Sequence, residues 1–208
     1  LELYDYTMKD WKSFGGQLVG QIDEEPEVTP KILEKFPEWA QWCGQSVEQF
    51  VRCQMSQTMV GGEQDIQDFL KEQIMTRITT MWFVNQKANE YNPVHVHTNC
   101  KVSSVVYLKT PKNQIKGRKD HHQSDGKITF MNNGGTDPNF TNPQCSFKPE
   151  AGDMYVFGAL QHHMVWPYRS TDPDDLRVSL SFNADFTTKK AIEEEQKKQE
   201  QMLSLIHI

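Results

Sequence analysis

A mainly β protein with N-terminal helices, either α+β or a jelly-roll-type barrel buttressed by those helices, is the architecture to which three features of this chain point. Apolar residues fall at helical spacing over residues 29–75, and β-branched and aromatic runs broken by Gly, Pro, Asn and Asp begin after Arg77. The helices and strands do not alternate, which argues against a parallel α/β sheet. The 208 residues fit one domain, read as helical support over 29–76, a β core over 78–186 and a polar helical tail over 187–208. With 37% hydrophobic residues, including 5 Trp, 6 Tyr and 11 Phe, the chain has the side chains to build a core and lacks the composition of a disordered one.

Boundary residues justify the helices in turn. Thr29 is placed to cap a helix that starts at Pro30 and turns Ile32, Leu33 and Phe36 to one side. Pro37 interrupts its hydrogen-bond ladder, and a short restart is expected to end at Gly44. Ser46 with Gln49 three residues on is a capping-box pattern, predicting a helix with face Val47, Phe50, Val51 and Met55 that ends near Gly61-Gly62. Ile66, Phe69, Leu70 and Ile74 mark a further helix.

The strands are expected over 78–85, 102–109, 127–131, 153–157, 163–167 and 177–186. Two long polar loops, 110–126 and 132–152, separate some of them, and loops of that length in a compact β domain are often where substrates are held. The tail from Lys189 to Gln201, rich in Lys, Glu and Gln, reads as a solvated helix.

Charge and composition narrow the function. A net charge of −6 points away from a protein that binds by neutralising nucleic-acid phosphates. The longest apolar runs, such as Met81 to Val84, are far short of the roughly 20 residues that cross a bilayer, so a soluble protein without membrane contact is expected. The opening Leu1-Glu2-Leu3-Tyr4-Asp5 lacks the pattern of a secretory signal, and Cys43, Cys53, Cys100 and Cys145 form no C-x-x-C pair. These features suggest a cytoplasmic protein whose cysteines are reduced, each serving as a small buried hydrophobe.

The most informative segment is Tyr91-Asn92-Pro93-Val94-His95-Val96-His97-Thr98-Asn99. Residues i and i+2 of an extended chain point the same way, so His95 and His97 can face one point inside a barrel. Paired imidazoles suit a borderline transition metal such as Fe(II) better than a hard ion. Two later segments share this logic: Gly152-Asp153-Met154-Tyr155-Val156-Phe157 followed by His162-His163-Met164-Val165-Trp166-Pro167, and Arg177-Val178-Ser179-Leu180-Ser181-Phe182-Asn183. A late histidine could complete a metal site with open positions for a chelating cosubstrate. Arg177 and Ser179, related as i and i+2, could then hold that cosubstrate's far carboxylate.

Trp82 and Asn85, His95-x-His97, Ser103 with Tyr107-Leu108, Gly152-Asp153, His163-x-Val165-x-Pro167 and Arg177 through Asn183 occur here in an order that resembles the 2-oxoglutarate- and Fe(II)-dependent oxygenases, in particular a small prolyl-hydroxylase-like group with an H-x-H metal motif. The resemblance covers about residues 78–186. It implies a double-stranded β-helix, a distorted jelly roll, with the metal between its sheets. Position by position it makes His95 and His163 metal ligands, Arg177 the partner of the 2-oxoglutarate C5 carboxylate, Ser179 its hydroxyl support and Tyr107 either a second contact or a core tyrosine. It further implies Fe(II), 2-oxoglutarate and O2 as reactants, succinate and CO2 as products, and hydroxylation of a protein side chain or small metabolite.

Most members of that superfamily carry Asp or Glu where this chain has His97. Either His97 is the third ligand of a three-histidine site, the reading we favour, or a carboxylate comes from elsewhere, or the site is inactive. Strand parity selects His163 over His162, which is expected at the surface or behind the ligands. His121 and His122, beside Lys119 and Asp120, read as a solvated pair, and Asp153 is expected to close the Gly152 turn. The rival readings are a non-catalytic or zinc-filled jelly-roll binding module and a three-histidine cupin-type dioxygenase that uses no keto acid. Because imidazole must be neutral to bind metal, activity is expected to fall below roughly pH 6 to 6.5.

Overall fold

A computed structural model describes residues 1–58, 62–116, 124–131 and 143–206. A short helix α1 (Glu2–Thr7) opens the chain, and a 3-10 turn at Gly15–Gln17 follows. Helices α2 (Pro30–Leu33), α3 (Pro37–Thr58) and α4 (Glu63–Lys71) lead into the strands, and α5 (Lys189–Ile206) closes the described chain. Among the described residues no helix is long and apolar enough to cross a membrane.

The Thr29 hydroxyl accepts the Ile32 N–H at 3.3 Å and Pro30 occupies the first turn, so α2 starts as expected. Helix α2 ends at Leu33, and Pro37 begins the next helix, since its missing N–H costs nothing in a first turn. Neither the stop at Gly44 nor the start at Ser46 occurs: α3 runs through both. The Ser46 hydroxyl instead donates back to the Trp42 carbonyl at 2.9 Å. Gly44 serves close packing, because a Cβ there would meet Thr76 Oγ1 at 2.8 Å. Ile74 belongs to a strand and not to α4. Among the cysteines only Cys43 is fully buried, while Cys53 and Cys145 are exposed, so they do not all act as core hydrophobes.

Among the described residues eight strands form two four-stranded antiparallel sheets, giving the double-stranded β-helix. One sheet has the order β1 (Ile74–Gln86), β8 (Arg177–Thr188), β3 (Val102–Lys109), β6 (Met154–Gly158). The other has β2 (Asn92–His95), β7 (His163–Val165), β4 (Ile128–Met131), β5 (Gln144–Phe147). The segments β2 and β5 were not marked as strands by composition; β5 lies within the expected 132–152 loop.

Period-2 alternation gives the first sheet two chemically distinct faces. Val178, Leu180, Phe182 and Ala184 of β8 join Met81 and Phe83 of β1 and Val47 and Val51 of α3 in the larger apolar core, outside the barrel. The intervening Arg177, Ser179, Ser181 and Asn183 turn inward to a cavity, with Trp82, Val84 and Gln86 of β1. The segment before α2 extends this sheet through isolated pairings of Glu24 with Asn85 and Glu27 with Trp82. Before β6, Gly152 adopts φ +102° and the Asp153 carboxylate accepts the Glu150 N–H at 2.8 Å, closing the turn as expected.

Candidate metal and cosubstrate site

His95 and His163 stand directly opposite one another where β2 pairs with β7, with ring centroids 4.2 Å apart. His97 lies just beyond β2, its backbone N–H fixed to the Ala159 carbonyl at 2.8 Å. One nitrogen from each of the three rings falls within 4.8 Å of the others, and His97 Nε2 is 3.4 Å from His163 Nε2. Nδ1 of His95 lies 2.7 Å from the Pro93 carbonyl and Nδ1 of His163 lies 2.9 Å from the Gln161 carbonyl. A carbonyl can only accept, so in both neutral rings Nδ1 carries the proton and Nε2 keeps its lone pair for a metal. No Asp or Glu joins this cluster among the described residues.

The surroundings keep the rings neutral. His163 is 4% exposed and packs on Phe157, with centroids 4.6 Å apart. Burial, reinforced by His95, pushes it down to about 3, the Gln161 carbonyl opposing. Burial likewise brings His97 to about 4, with His95 adding to the shift and the Asn183 side chain opposing it. His95 is lowered by burial against the pull of the Pro93 carbonyl.

The same cavity, of about 530 Å³, is lined by Arg177, Ser179 and Tyr107. Arg177 is 2% exposed; it donates to the Gly126 carbonyl at 2.7 Å and to Gln86 Oε1, and makes no ion pair among the described residues. Its guanidinium carbon lies 5.8 Å from the ring centres of both Tyr107 and Tyr168. Burial lowers its affinity for a proton, but an arginine in this setting remains charged. Tyr107 is 1% exposed, its hydroxyl has no hydrogen-bond partner among the described residues, and burial pushes it up to about 12. A buried cation without a counter-charge and a buried hydroxyl without a partner are both costly. An anionic, oxygen-bearing ligand would relieve both. The donor set therefore fits a borderline divalent metal held by His95, His97 and His163 and a carboxylate ligand held by Arg177.

All six expected site residues line one cavity. His162 is exposed, in keeping with its assignment to the surface, whereas His121 and His122 lie outside the described residues. Sequence reasoning missed Gln86, whose carbonyl oxygen holds the guanidinium, and Glu25, a buried carboxyl on the cavity wall. Gln86 is the residue after the matched Asn85, and inward parity with Trp82 and Val84 could have found it. Glu25 lies in the acidic run Asp23-Glu24-Glu25 and carries no motif.

Residues 80–183 match a family model described as "Putative 2OG-Fe(II) oxygenase". No curated protein matches the chain. Among solved structures, it is similar to an oxidoreductase of the 2OG-Fe(II) oxygenase family from Burkholderia pseudomallei, at 16% identity and TM-score 0.41 over 56% of this chain and 48% of that one. The chain thus spans about half the length of that relative. A prolyl-4-hydroxylase from Pseudomonas putida is 15% identical over 88% of this chain and 82% of its own, with TM-score 0.44. A viral collagen prolyl hydroxylase from Paramecium Bursaria Chlorella virus-1 is 12% identical over 88% and 87%, also with TM-score 0.44.

Proposed function

From the premise that this chain belongs to the 2OG-Fe(II) oxygenase family, we propose that it is a 2-oxoglutarate-dependent hydroxylase with a three-histidine iron site. The observation that carries this reading is Arg177. It is a buried guanidinium with no acidic partner among the described residues, lining the cavity into which three imidazoles converge. A zinc-filled binding module or a cupin-type dioxygenase without keto acid would have no use for such a cation.

When bound, Fe(II), 2-oxoglutarate and O2 would supply the oxidative chemistry, yielding succinate, CO2 and a hydroxylated product. The chain's own groups do the rest. His95, His97 and His163 offer neutral nitrogen donors, two of them oriented by backbone carbonyls. Arg177 holds the distal carboxylate, with Ser179 and Tyr107 offering hydroxyls beside it. Phe157, Phe130 and Trp82 exclude water from the imidazoles, at centroid distances of 4.6 Å and 5.9 Å from His163 and 6.1 Å from His97 respectively.

Anaerobic titration with Fe(II) and then 2-oxoglutarate tests the assignment. A weak visible metal-to-ligand charge-transfer band is expected in the wild type and is lost in His97→Ala. Tight iron binding without that band would overturn the keto-acid reading. A band of full strength in His97→Ala would remove His97 from the ligand set.

A further inference from the structure

We propose that Glu25 makes this cavity the site of a substrate bearing a basic group, an ammonium or a guanidinium. The inference rests on the oxygenase reading above and specifies the substrate class for that site. Glu25 is 1% exposed, yet among the described residues no hydrogen bond or ion pair reaches its carboxyl, and Oε1 touches neither solvent nor a partner. Pairing of Glu24 with Asn85 and Glu27 with Trp82 sets Glu25 alongside Val84, an inward position of β1. Its side chain therefore lines the cavity that holds the three imidazoles.

The charged neighbours define what the carboxyl can accept. Glu25 is the single acid among the described residues lining the cavity; the other charged side chains there are Arg77 and Arg177. Arg77 is already paired with Asp185 at 2.9 Å, and Arg177 is held by Gly126 and Gln86. Gly15 and Gly20 lie close to Glu25, with the Ser13 hydroxyl and Asn92 Oδ1 beside the same two glycines. A Cβ on Gly15 would stand 3.0 Å from Oε2; one on Gly20 would stand 3.3 Å from Oε1 and 2.3 Å from Asn92 Oδ1. The charged group acting on Glu25 is Glu90, whose carboxylate accepts the Lys87 N–H at 2.7 Å and the Asp23 N–H at 3.2 Å. Glycines leave room beside the carboxyl and bring no donor side chain, while the Glu90 charge makes the local potential more negative. A purely structural carboxyl would be expected to have a donor. A cation placed here gains a charge-assisted hydrogen bond and relieves a buried group that no described residue satisfies.

The test uses the full chain at pH 8 in ligand-detected NMR titrations without iron or keto acid. n-Butylammonium is compared with 1-butanol, and Nα-acetyl-lysine-N′-methylamide with its norleucine counterpart. The wild type should bind at least one cation tenfold or more tightly than its neutral analogue, and Glu25→Gln should reduce that preference below twofold. Preference for the free amine indicates a small metabolite, and preference confined to the lysine amide indicates a peptide side chain. Equal affinities in the wild type, or a preference retained in Glu25→Gln, overturn the proposal. Should Glu25→Gln not fold, the wild-type preference is read between pH 5 and pH 8. It should grow as the carboxyl ionises, and a flat preference overturns the proposal. The charge-transfer band, measured separately on the same preparation, reports on the oxygenase reading alone, so the two can fail independently.

Discussion

Replacing Glu25 with Gln should stabilise the folded protein at pH 8 far more than at pH 5. Burial, with the Glu90 charge adding to it, raises the Glu25 carboxyl from 4.5 to about 7. The folded state thus holds a proton that the unfolded chain releases. Stability from this group is fully present below pH 4.5 and is lost as pH rises through about 7. The gap between 4.5 and about 7, at about 1.4 kcal/mol per pH step, costs the wild type roughly 3 kcal/mol at pH 8. At pH 5 the cost is only about 1 kcal/mol, because that pH lies only about half a unit above the unfolded value of 4.5. Gln has no such transition, so the two proteins should diverge by about 2 kcal/mol between these pH values. For a chain of this size that corresponds to a change in Tm difference of roughly 4 to 8 °C. Urea unfolding and calorimetry of both proteins at pH 5 and pH 8 measure it. A mutant-minus-wild-type difference that does not change with pH would mean that the carboxyl already has a partner, refuting the argument from burial.

Three further outcomes follow from particular groups. Arg177→Gln should raise the 2-oxoglutarate KM by roughly 10- to 100-fold, the worth of charge-assisted hydrogen bonds to a carboxylate; an unchanged KM in a succinate assay would remove Arg177 from the cosubstrate site. With His97 near 4, His163 near 3 and His95 also depressed, protons should not compete for the imidazoles until well below pH 6. Stability from these buried neutral bases is present above the unfolded value of 6.5 and is lost as pH falls toward 4. Co(II) affinity should therefore fall less steeply below pH 6.5 than three imidazoles in water would give. This displaces the loss at pH 6 to 6.5 expected for imidazoles in water, and a tenfold fall in affinity between pH 7 and pH 6 would contradict it. Finally, the Tyr168 hydroxyl, fully buried, lies 2.9 Å from the Gln86 carbonyl and 2.7 Å from that of Asp175. Tyr168→Phe should cost about 1–3 kcal/mol in urea unfolding by stranding those acceptors.

What the sequence made legible was local in origin. Strand parity placed Arg177 and Ser179 on one face and Val178 and Leu180 on the other, and the structure divides them between cavity and core in that way. The positions of His95 and His97 were legible for the same reason. Helix boundaries failed where a tertiary contact outranked a local signal. Gly44 reads as a helix end from propensity alone, whereas in the fold it lets β1 approach α3, leaving Thr76 Oγ1 2.8 Å from where a Cβ would lie. Ser46 reads as a cap until a continuous α3 gives its hydroxyl the Trp42 carbonyl. The strand β5 was hidden because all four of its residues are exposed, and a strand without a buried face writes no alternation into its sequence.

Glu25 belongs to a different kind of illegibility. Its neighbours Glu24 and Glu27 are acidic too, and composition assigns such a run to a solvated surface. Only pairing with β1, nearly 60 residues along the chain, sets Glu25 beside the inward Val84 and Glu24 beside Asn85. The same pairing determines its electrostatics. Glu24, one position earlier, is matched by Lys87 at 2.7 Å and held below the usual carboxylate range, whereas Glu25 has no cation and is raised to about 7. Two adjacent, chemically identical side chains are driven in opposite directions because the strand pleat sends one to a lysine and the other into a cavity. Among the described residues the cavity thus carries two unmatched groups of opposite sign, the Arg177 guanidinium and the Glu25 carboxyl, together with three neutral imidazoles. An anion and a cation brought by two different molecules would each find one complementary partner, and that sorting would keep the cosubstrate and the substrate from exchanging places.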